Sequence, residues 1–309
     1  MRERLPATNE RVDVYGALAW LDVRVIFKPL EGLIGAYVRG DTPGIMISTR
    51  RPPSVQRFTA AHELGHAVMD HAPSLDSPGV LSNAASGRPR PLIHGFASYL
   101  QEVEADAFAG GFLLPPWLIT RHARRQNWTR EHLQTPEVVY QLSLRCGASF
   151  QAVAWALERN RFISPADRTA LLKTKPRDLK ARLGHGARVA DTRNDAWWFS
   201  ANDAGLDFEL VVGDTINLER VCEATWEEVI ALEDFLTPVR TGFDEESQQS
   251  ACFLVSRRGA ASLHLQGSSA PTRNSTVGFV AFDRESGLSR ANRARLASAA
   301  GQGGVDCGA

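Results

Sequence analysis

The chain has 309 residues, of which 43% are hydrophobic, and its 35 basic residues balance its 35 acidic residues to a formal net charge of zero. This length and composition predict about two globular domains with a sizeable core. The balanced charge requires neither a nucleic-acid partner nor a membrane partner, and the chain lacks an apolar run of about 18 residues, the length that predicts a transmembrane helix.

The N-terminus and the cysteines indicate a cytoplasmic protein. The N-terminal stretch MRERLPATNERVDVYG lacks the apolar segment of a secretory signal. The cysteines are scattered and form no C-x-x-C pair, so we interpret them as reduced thiols. They are Cys146, Cys222, Cys252 and Cys307.

The first elements in chain order are a helix and a small sheet. Residues 8–20 have a helical pattern, with inward positions at Val12, Val14, Leu18 and Trp20. Three strand-like runs follow, divided by short turns, at 23–29, 33–40 and 44–49. An edge of this sheet can align an extended substrate by main-chain hydrogen bonds, or the sheet can be purely supportive. The pattern does not say which strand lies at the edge.

Residues 57–71, RFTAAHELGHAVMDH, contain an H-E-x-x-H arrangement formed by His62, Glu63 and His66. On a helix, His62 and His66 leave the same face one turn apart, which suits two ligands of one tetrahedral zinc ion. Glu63 can then act as general base toward a water that the metal activates. A chance match on a core helix is the alternative, so the remaining ligands decide between the two.

Ser54 is the expected N-cap of this helix, and Pro73 is its expected end. Apolar positions three or four apart support the helix, namely Val55, Phe58, Ala61, Leu64 and Val68. Gly65 costs about 1 kcal/mol relative to alanine inside a helix. We therefore expect it to make room for a strand or a substrate backbone near the metal.

Residues 72–98 are rich in Pro, Ser, Gly and Asn and are long for a connection within a compact domain. Such a loop near a metal site is either a lid or a disordered insertion. The next helix is expected to start near Tyr99 and to end at Pro115–Pro116.

A catalytic zinc site takes three protein ligands, so one carboxylate is still required. The candidates on this second helix are Glu102, Glu104 and Asp106. Glu102 and Asp106 share one face, so Glu102 can bind the metal while Asp106 hydrogen-bonds the far nitrogen of a ligand histidine. Glu104 points roughly 200° away from Glu102, so both cannot face the metal. A solvated acidic face is the alternative for all three.

HELGH on a helix, followed by E-x-E-A-D-x-F-A leading into L-L-P, resembles the ImmA/IrrE family of metallopeptidases over residues 20–118. The resemblance implies a zincin-like domain with the activity of a zinc-dependent, gluzincin-like endopeptidase. It also implies that His62, His66 and Glu102 bind one zinc ion per chain and that Glu63 is the catalytic glutamate. The family's frequent histidine four residues after His66 is replaced here by aspartate, with a histidine next to it.

Residues 117–185 are helical in pattern, and PEVVYQLSLRCGASFQAVAWALERNRFIS resembles the helix-turn-helix-like unit that follows the peptidase core in this family. The turn is expected at 145–149, and the core positions after it are Val153, Trp155 and Leu157. Basic residues cluster at 121–130 and 168–188. The unit either packs in support of the active site or contacts nucleic acid directly, and we favour the packing role.

From residue 186 to 289 the chain reads as strands and turns, which predicts an all-β, sandwich-like domain. Trp197 and Trp198 are expected in its core. This part is weakly similar to chagasin-like protease-inhibitor domains, but it lacks a recognisable inhibitory loop motif, so partner or substrate recognition is the preferred role. Residues 290–309 are small and polar and are predicted to be a disordered tail.

The chain is therefore predicted to be α+β. Its parts are a zinc metallopeptidase domain at 1–116, a helical extension at 117–185, a β domain at 186–289 and the tail. Manganese can replace zinc with these ligand types. Besides the metal, a side-chain hydrogen-bond donor is expected to stabilise the oxyanion that forms when water attacks a peptide carbonyl. The candidates by sequence proximity are His71, His94 and Tyr99.

The function that we predict is limited proteolysis of one regulatory protein. The family resemblance implies that the substrate is a helix-turn-helix transcriptional repressor, whose cleavage relieves repression after stress. One alternative is a non-catalytic, zinc-containing regulator that binds DNA or a partner protein. Another is a component of a toxin–antitoxin pair.

Overall fold

The computed structural model describes residues 11–76, 96–183, 194–218, 236–240, 251–264 and 276–282. Its residues form two compact units. The first draws its described residues from Met1–Ile119 and Arg145–Arg161, and the second from Thr120–Leu144 and Phe162–Arg284. The predicted tail, most of the predicted loop at 72–98, and His94 lie outside the described residues.

Helix α1, Val14–Trp20, opens the first unit and starts later than predicted, because the side chain of Asp13 caps it by accepting from Gly16 N. Val14 and Leu18 are buried as expected. The prediction for Trp20 was wrong, since 57% of it is exposed. Trp20 follows Leu18 by two positions and therefore points about 200° away from the buried face.

The three predicted strands are confirmed as β1, Arg24–Lys28, β2, Gly35–Val38, and β3, Gly44–Ser48. A fourth strand that the sequence pattern did not predict, β4, Ser74–Asp76, pairs antiparallel with β2 and sets Ser74 opposite Tyr37. The sheet order is β1-β3-β2-β4, with β1 and β3 parallel. Among the strands that the structure describes, β1 and β4 are therefore the edges of this sheet.

Helix α2, Pro53–Val68, carries the H-E-x-x-H arrangement, but its ends differ from those predicted. Its N-cap is Pro52 rather than Ser54, because a proline at the first helical position is already preorganised for the helix. It ends before Pro73, since Asp70 adopts a left-handed conformation with φ 56°. This turn sends the chain back toward the helix, where His71 N donates to the His66 carbonyl over 2.9 Å.

Helix α3, Phe96–Leu113, packs along α2 and begins slightly before the predicted start. A Cβ placed on Gly65 would lie 3.2 Å from Ala105 Cα and 3.2 Å from the ring of Phe108, both on α3. The expectation that Gly65 admits a strand or substrate was wrong, because the close neighbour is this helix. The missing side chain allows α3 to bring its carboxylates near the histidines of α2.

Gly65→Leu is expected to lower the free energy of unfolding by about 1–3 kcal/mol, because the added side chain must displace helix α3. Denaturant unfolding measures this change. The matched control is Gly111→Leu on α3, where a Cβ meets nothing within 4 Å. That variant should be neutral or slightly stabilised by its better helix propensity. Equal stability of the two variants would contradict the tight contact at Gly65.

Helices α5, Pro136–Cys146, and α6, Phe150–Arg159, are joined by the predicted turn, in which Gly147 has φ +64°. Val153 and Leu157 are buried as predicted, but Trp155 is only half-buried. Within the first unit, the buried side chain of Arg57 donates to the carbonyls of Gly147 and Val12 over 3.3 and 2.7 Å. Arg57 thereby ties helix α2 to this turn and to the N-terminal segment.

The second unit combines helices with two small sheets. Its further helices are α4, Pro116–Arg125, which begins in the first unit, α7, Pro165–Leu171, and α8, Pro176–Leu183. Its strands are β5, Ala196–Phe199, β6, Asp207–Val211, β7, Thr215–Leu218, β8, Leu236–Arg240, β9, Ala251–Val255, β10, Gly259–His264, and β11, Thr276–Phe282. The sheet orders are β10-β11-β6 and β5-β7-β9-β8. The chain is thus of the mixed α+β class.

Polar side chains of α5 connect it to β5 inside this second unit. Tyr140 Oη donates to Asp195 Oδ1 over 2.9 Å, and Gln141 Nε2 donates to the Ala196 carbonyl over 2.8 Å. The Gln141 side-chain oxygen accepts from Trp198 N over 2.9 Å. Trp197 is buried, as predicted, whereas Trp198 is half-buried. Helical and β segments therefore share one hydrogen-bonded core here.

Two cysteines fall within the described residues, Cys146 and Cys252, and both are buried and form no disulfide there. This agrees with the prediction of reduced cysteines at these two positions. Of the helices in the described ranges, none has the length and apolar character needed to cross a bilayer.

Candidate metal centre

Three side chains from two helices meet at one buried point. His62 and His66 project from α2, and Glu102 projects from α3, so that one ligand atom from each lies within 4.8 Å of the others. The two Nε2 atoms are 3.1 Å apart, and the Glu102 carboxylate oxygens lie 3.3 Å from His62 Nε2 and 3.4 Å from His66 Nε2. The structure thus brings together the three residues that the sequence nominated as ligands.

The hydrogen bonds of the outer ring nitrogens indicate what this point can hold. His62 Nδ1 lies 2.9 Å from Asp106 Oδ1, and His66 Nδ1 lies 2.9 Å from His71 Nδ1. When both Nδ1 atoms carry their protons toward these partners, both Nε2 lone pairs face each other and a carboxylate. In this protonation state, a cation at this point would satisfy all three ligand groups. Two imidazole nitrogens and one carboxylate are a ligand set suited to Zn²⁺ with one position left open.

Glu104 is not part of this group. Its carboxylate lies 3.2 Å from His71 Nε2, and its side chain is 57% exposed. The helical-wheel prediction that Glu102 and Glu104 cannot both face the metal is therefore consistent with the geometry. Asp106, four residues after Glu102, reaches the outer nitrogen of His62, where the sequence placed it as a supporting residue.

Glu63 is fully buried between α2 and the sheet. A Cβ on Gly35 of β2 would collide with the Glu63 carboxyl and with Thr59, so only glycine permits this approach. Ser74 of the edge strand β4 lies 3.5 Å from Glu63 Oε2 through its hydroxyl. Strands β2 and β4 therefore border the Glu63 carboxyl, one residue along the chain from the first histidine.

Aromatic rings flank both histidines. Tyr37 stacks on His66 with 6.0 Å between ring centroids and 14° between planes, and Phe58 lies 6.4 Å from His62. Burial raises the pKa of the Tyr37 phenol above its ordinary value. Sequence reasoning missed Tyr37, because its position in a strand indicated only a core residue.

The candidates for a second oxyanion donor have different outcomes. Both ring nitrogens of His71 are engaged, one by His66 and one by Glu104, which argues against His71 as this donor. His94 lies outside the described residues. Tyr99 is half-buried on α3 and stays a prediction.

Asp106→Ala is expected to weaken metal binding by about 10–100-fold, because the outer nitrogen of His62 loses the acceptor that holds its ring and tautomer. A competition titration with a chromophoric chelator measures the dissociation constant. Asp106→Asn, which keeps an acceptor oxygen, should lose less affinity, and Asp178→Ala, an exposed position on α8, should lose none. Equal affinities of Asp106→Ala and wild type would make Asp106 a surface carboxylate without influence on the site.

Comparison with known families bears on the same segment. Residues 20–158 match the family model described as the IrrE N-terminal-like domain, within a peptidase family. The matched range contains the sheet, α2 and α3, and therefore the whole cluster. A search of curated proteins finds no match to the chain.

Proposed function

Because residues 20–158 belong to the ImmA/IrrE family of metallopeptidases, we propose that this chain is a zinc-dependent endopeptidase that performs limited proteolysis of a regulatory protein. The observation that carries the proposal is the buried cluster of His62, His66 and Glu102 with Glu63 beside it. A metal site needed only for structure has no use for a buried carboxyl next to its first ligand. The family relation supports a metal cofactor and a protein substrate in general terms.

In this proposal, His62, His66 and Glu102 hold the metal and leave one position open. A zinc ion held there would supply Lewis acidity, which lowers the pKa of a bound water far below that of bulk water and polarises a carbonyl. Manganese can take the same ligand set. Asp106 keeps His62 in the tautomer whose Nε2 lone pair is available.

Glu63 is the proposed general base. Its carboxylate takes a proton from the attacking water, holds it, and delivers it to the nitrogen of the leaving amine as the peptide bond breaks. The deep burial of Glu63 supports this role, because a carboxylate screened from bulk water exchanges its proton with the reacting groups rather than with solvent. Gly35 is the residue that makes room for this carboxyl at the sheet.

An extended substrate segment is proposed to lie along β4. This strand is an edge of the sheet, it carries the 71% exposed side chain of Leu75, and Ser74 brings it to the Glu63 carboxyl. Edge strands accept a further strand through main-chain hydrogen bonds. A substrate added in this way passes close to the general base.

The substrate that we propose is a helix-turn-helix transcriptional repressor. In this proposal, residues 1–116 are the peptidase part, residues 117–185 are a helix-turn-helix-like extension with a packing role, and residues 186–289 are a sandwich-like domain that serves substrate or partner recognition. A direct nucleic-acid contact through the basic residues at 121–130 is the less favoured role. The chain then acts in transcription regulation during stress.

A substrate trap tests the proposal. Metal-loaded Glu63→Gln protein is recovered from its native cell, with wild type as the control, and the bound proteins are identified by mass spectrometry. We expect one small regulatory protein that only the variant retains, and that wild type cuts at a single place in vitro when zinc is present. If both forms recover the same partner or DNA and no cut product appears, the chain is a binding protein and not a peptidase.

A further inference from the structure

The two histidines of the cluster differ in how their outer nitrogens are supported. His62 Nδ1 meets the carboxylate of Asp106 directly over 2.9 Å. His66 Nδ1 meets the ring of another histidine, with 2.9 Å between His66 Nδ1 and His71 Nδ1. His71 in turn contacts a carboxylate, because His71 Nε2 lies 3.2 Å from Glu104 Oε2. A path of contacts therefore leads from His66 through His71 to Glu104.

The position of His71 follows from the end of α2. Asp70 adopts a left-handed conformation, and its carboxylate pairs with Arg39 of the strand region. The chain therefore turns back, and the His71 amide donates to the His66 carbonyl over 2.9 Å. The side chain of His71 is only 7% exposed, and its ring packs edge-on against the ring of His66, with 5.0 Å between centroids.

One assignment of protons satisfies every contact along this path. A neutral imidazole has one N–H donor and one acceptor nitrogen. If His66 Nε2 offers its lone pair to a metal, His66 Nδ1 carries the proton and donates to His71 Nδ1. His71 then carries its own proton on Nε2 and donates to the Glu104 carboxylate. The opposite assignment would place the His66 proton on the atom that faces Glu102 and His62.

We propose that His71 and Glu104 are positioning residues that hold the ring of His66 in its metal-binding tautomer and orientation. This inference rests on the proposed metal site, and it assigns a role to two residues outside the ligand set. The pair performs for His66 the task that Asp106 performs for His62.

The geometry of α3 explains why Glu104 supports His66 only through His71, an arrangement that we call the relay. Glu104 lies two positions after Glu102, so its side chain leaves α3 on another face and reaches no cluster atom directly. The neutral ring of His71 spans the remaining distance to His66. The negative charge of Glu104 meanwhile stays at a side chain that is 57% exposed, so no additional buried charge is required.

The experiment compares zinc affinity and the tautomer of His66 in the full chain. Affinity is measured by chelator competition, and the tautomer by the ¹⁵N chemical shifts of the metal-free imidazoles. The variants are His71→Phe, which removes the acceptor, His71→Asn, whose side-chain oxygen can replace Nδ1 as acceptor, and Glu104→Ala. The control is His132→Phe, at an exposed histidine.

His71→Phe is expected to bind zinc about 10–100-fold more weakly and to show His66 as a mixture of tautomers. His71→Asn should recover most of the affinity and the Nδ1–H tautomer, which a space-filling role for His71 would not produce. Glu104→Ala should lose less than tenfold, and the control should match wild type. If His71→Phe does not fold, Glu104→Ala still tests the relay, because Glu104 is exposed and the variant is read out by the tautomer ratio of His66.

The results separate this inference from the proposed function. If wild type binds zinc tightly and the His71 and Glu104 variants match it in affinity and tautomer, the relay is overturned while the metal site stands. If His71→Asn behaves like His71→Phe, the hydrogen bond is not the cause and the relay is likewise overturned. If wild type itself does not bind zinc, the metal site and the relay both fall.

Discussion

Glu63→Gln is expected to lower the turnover number by about 10²–10⁴-fold, the usual contribution of a general base, while zinc content should stay at one ion per chain. Glutamine has the size of glutamate and keeps an oxygen that can accept from the Ser74 hydroxyl, 3.5 Å away in the native chain. It cannot take a proton from water. The measurement is single-turnover cleavage of the trapped substrate, together with elemental analysis of the variant.

The matched control for this experiment is Glu131→Gln, the same change at an exposed glutamate in the second unit. It should leave both turnover and zinc content unchanged. A Glu63→Gln protein that cuts at the wild-type rate would remove Glu63 from the chemistry. A variant that loses zinc as well would show that Glu63 supports the metal site rather than acting on water.

Glu102→Ala should lose tightly bound zinc. The substitution removes one of the three proposed ligands. It leaves two imidazole nitrogens 3.1 Å apart in a buried site without the carboxylate that would offset the charge of a metal ion. We expect a loss of affinity greater than the roughly 10–100-fold that follows when a ligand loses only its hydrogen-bond partner. Elemental analysis after dialysis against a weak chelator, supported by competition titration, gives the result.

Glu104→Ala is the informative comparison, because it removes the same group two residues along the same helix. It should retain zinc through that dialysis, with at most a modest loss transmitted through His71. The opposite pattern, zinc lost from Glu104→Ala and retained by Glu102→Ala, would mean that the third ligand is Glu104 and that the arrangement of α3 differs from the one described.

Local sequence patterns were sufficient to predict three strands and the helical placement of the two histidines. Alternation and turn residues placed three strands within one or two residues of β1, β2 and β3. The spacing of His62 and His66 placed both rings on one face of a helix, which follows from the helical repeat alone. Helix ends were less accurate, because caps depend on backbone conformation at single residues such as Pro52 and Asp70.

The choice of Glu102 as third member of the cluster could not be made from local sequence patterns. Sequence periodicity left Glu102, Glu104 and Asp106 as alternatives, and only the family resemblance favoured Glu102. The choice depends on which face of α3 meets α2, and that face is set by the contact of Gly65 with Ala105 and Phe108. A pattern within one helix contains no information on its rotation against another helix.

By itself, the sequence determined strands β1 to β3 and helices α2 and α3, the common face of His62 and His66, and the position of a carboxylate one residue after the first histidine. Tertiary structure alone decided that β4 covers the edge of β2, that Glu63 lies under Gly35, and that His71 joins His66 to Glu104. The reason is physical. Backbone propensities and side-chain periodicity act within one or two helical turns, whereas His71 and Glu104 are 33 residues apart and meet only because two helices pack closely.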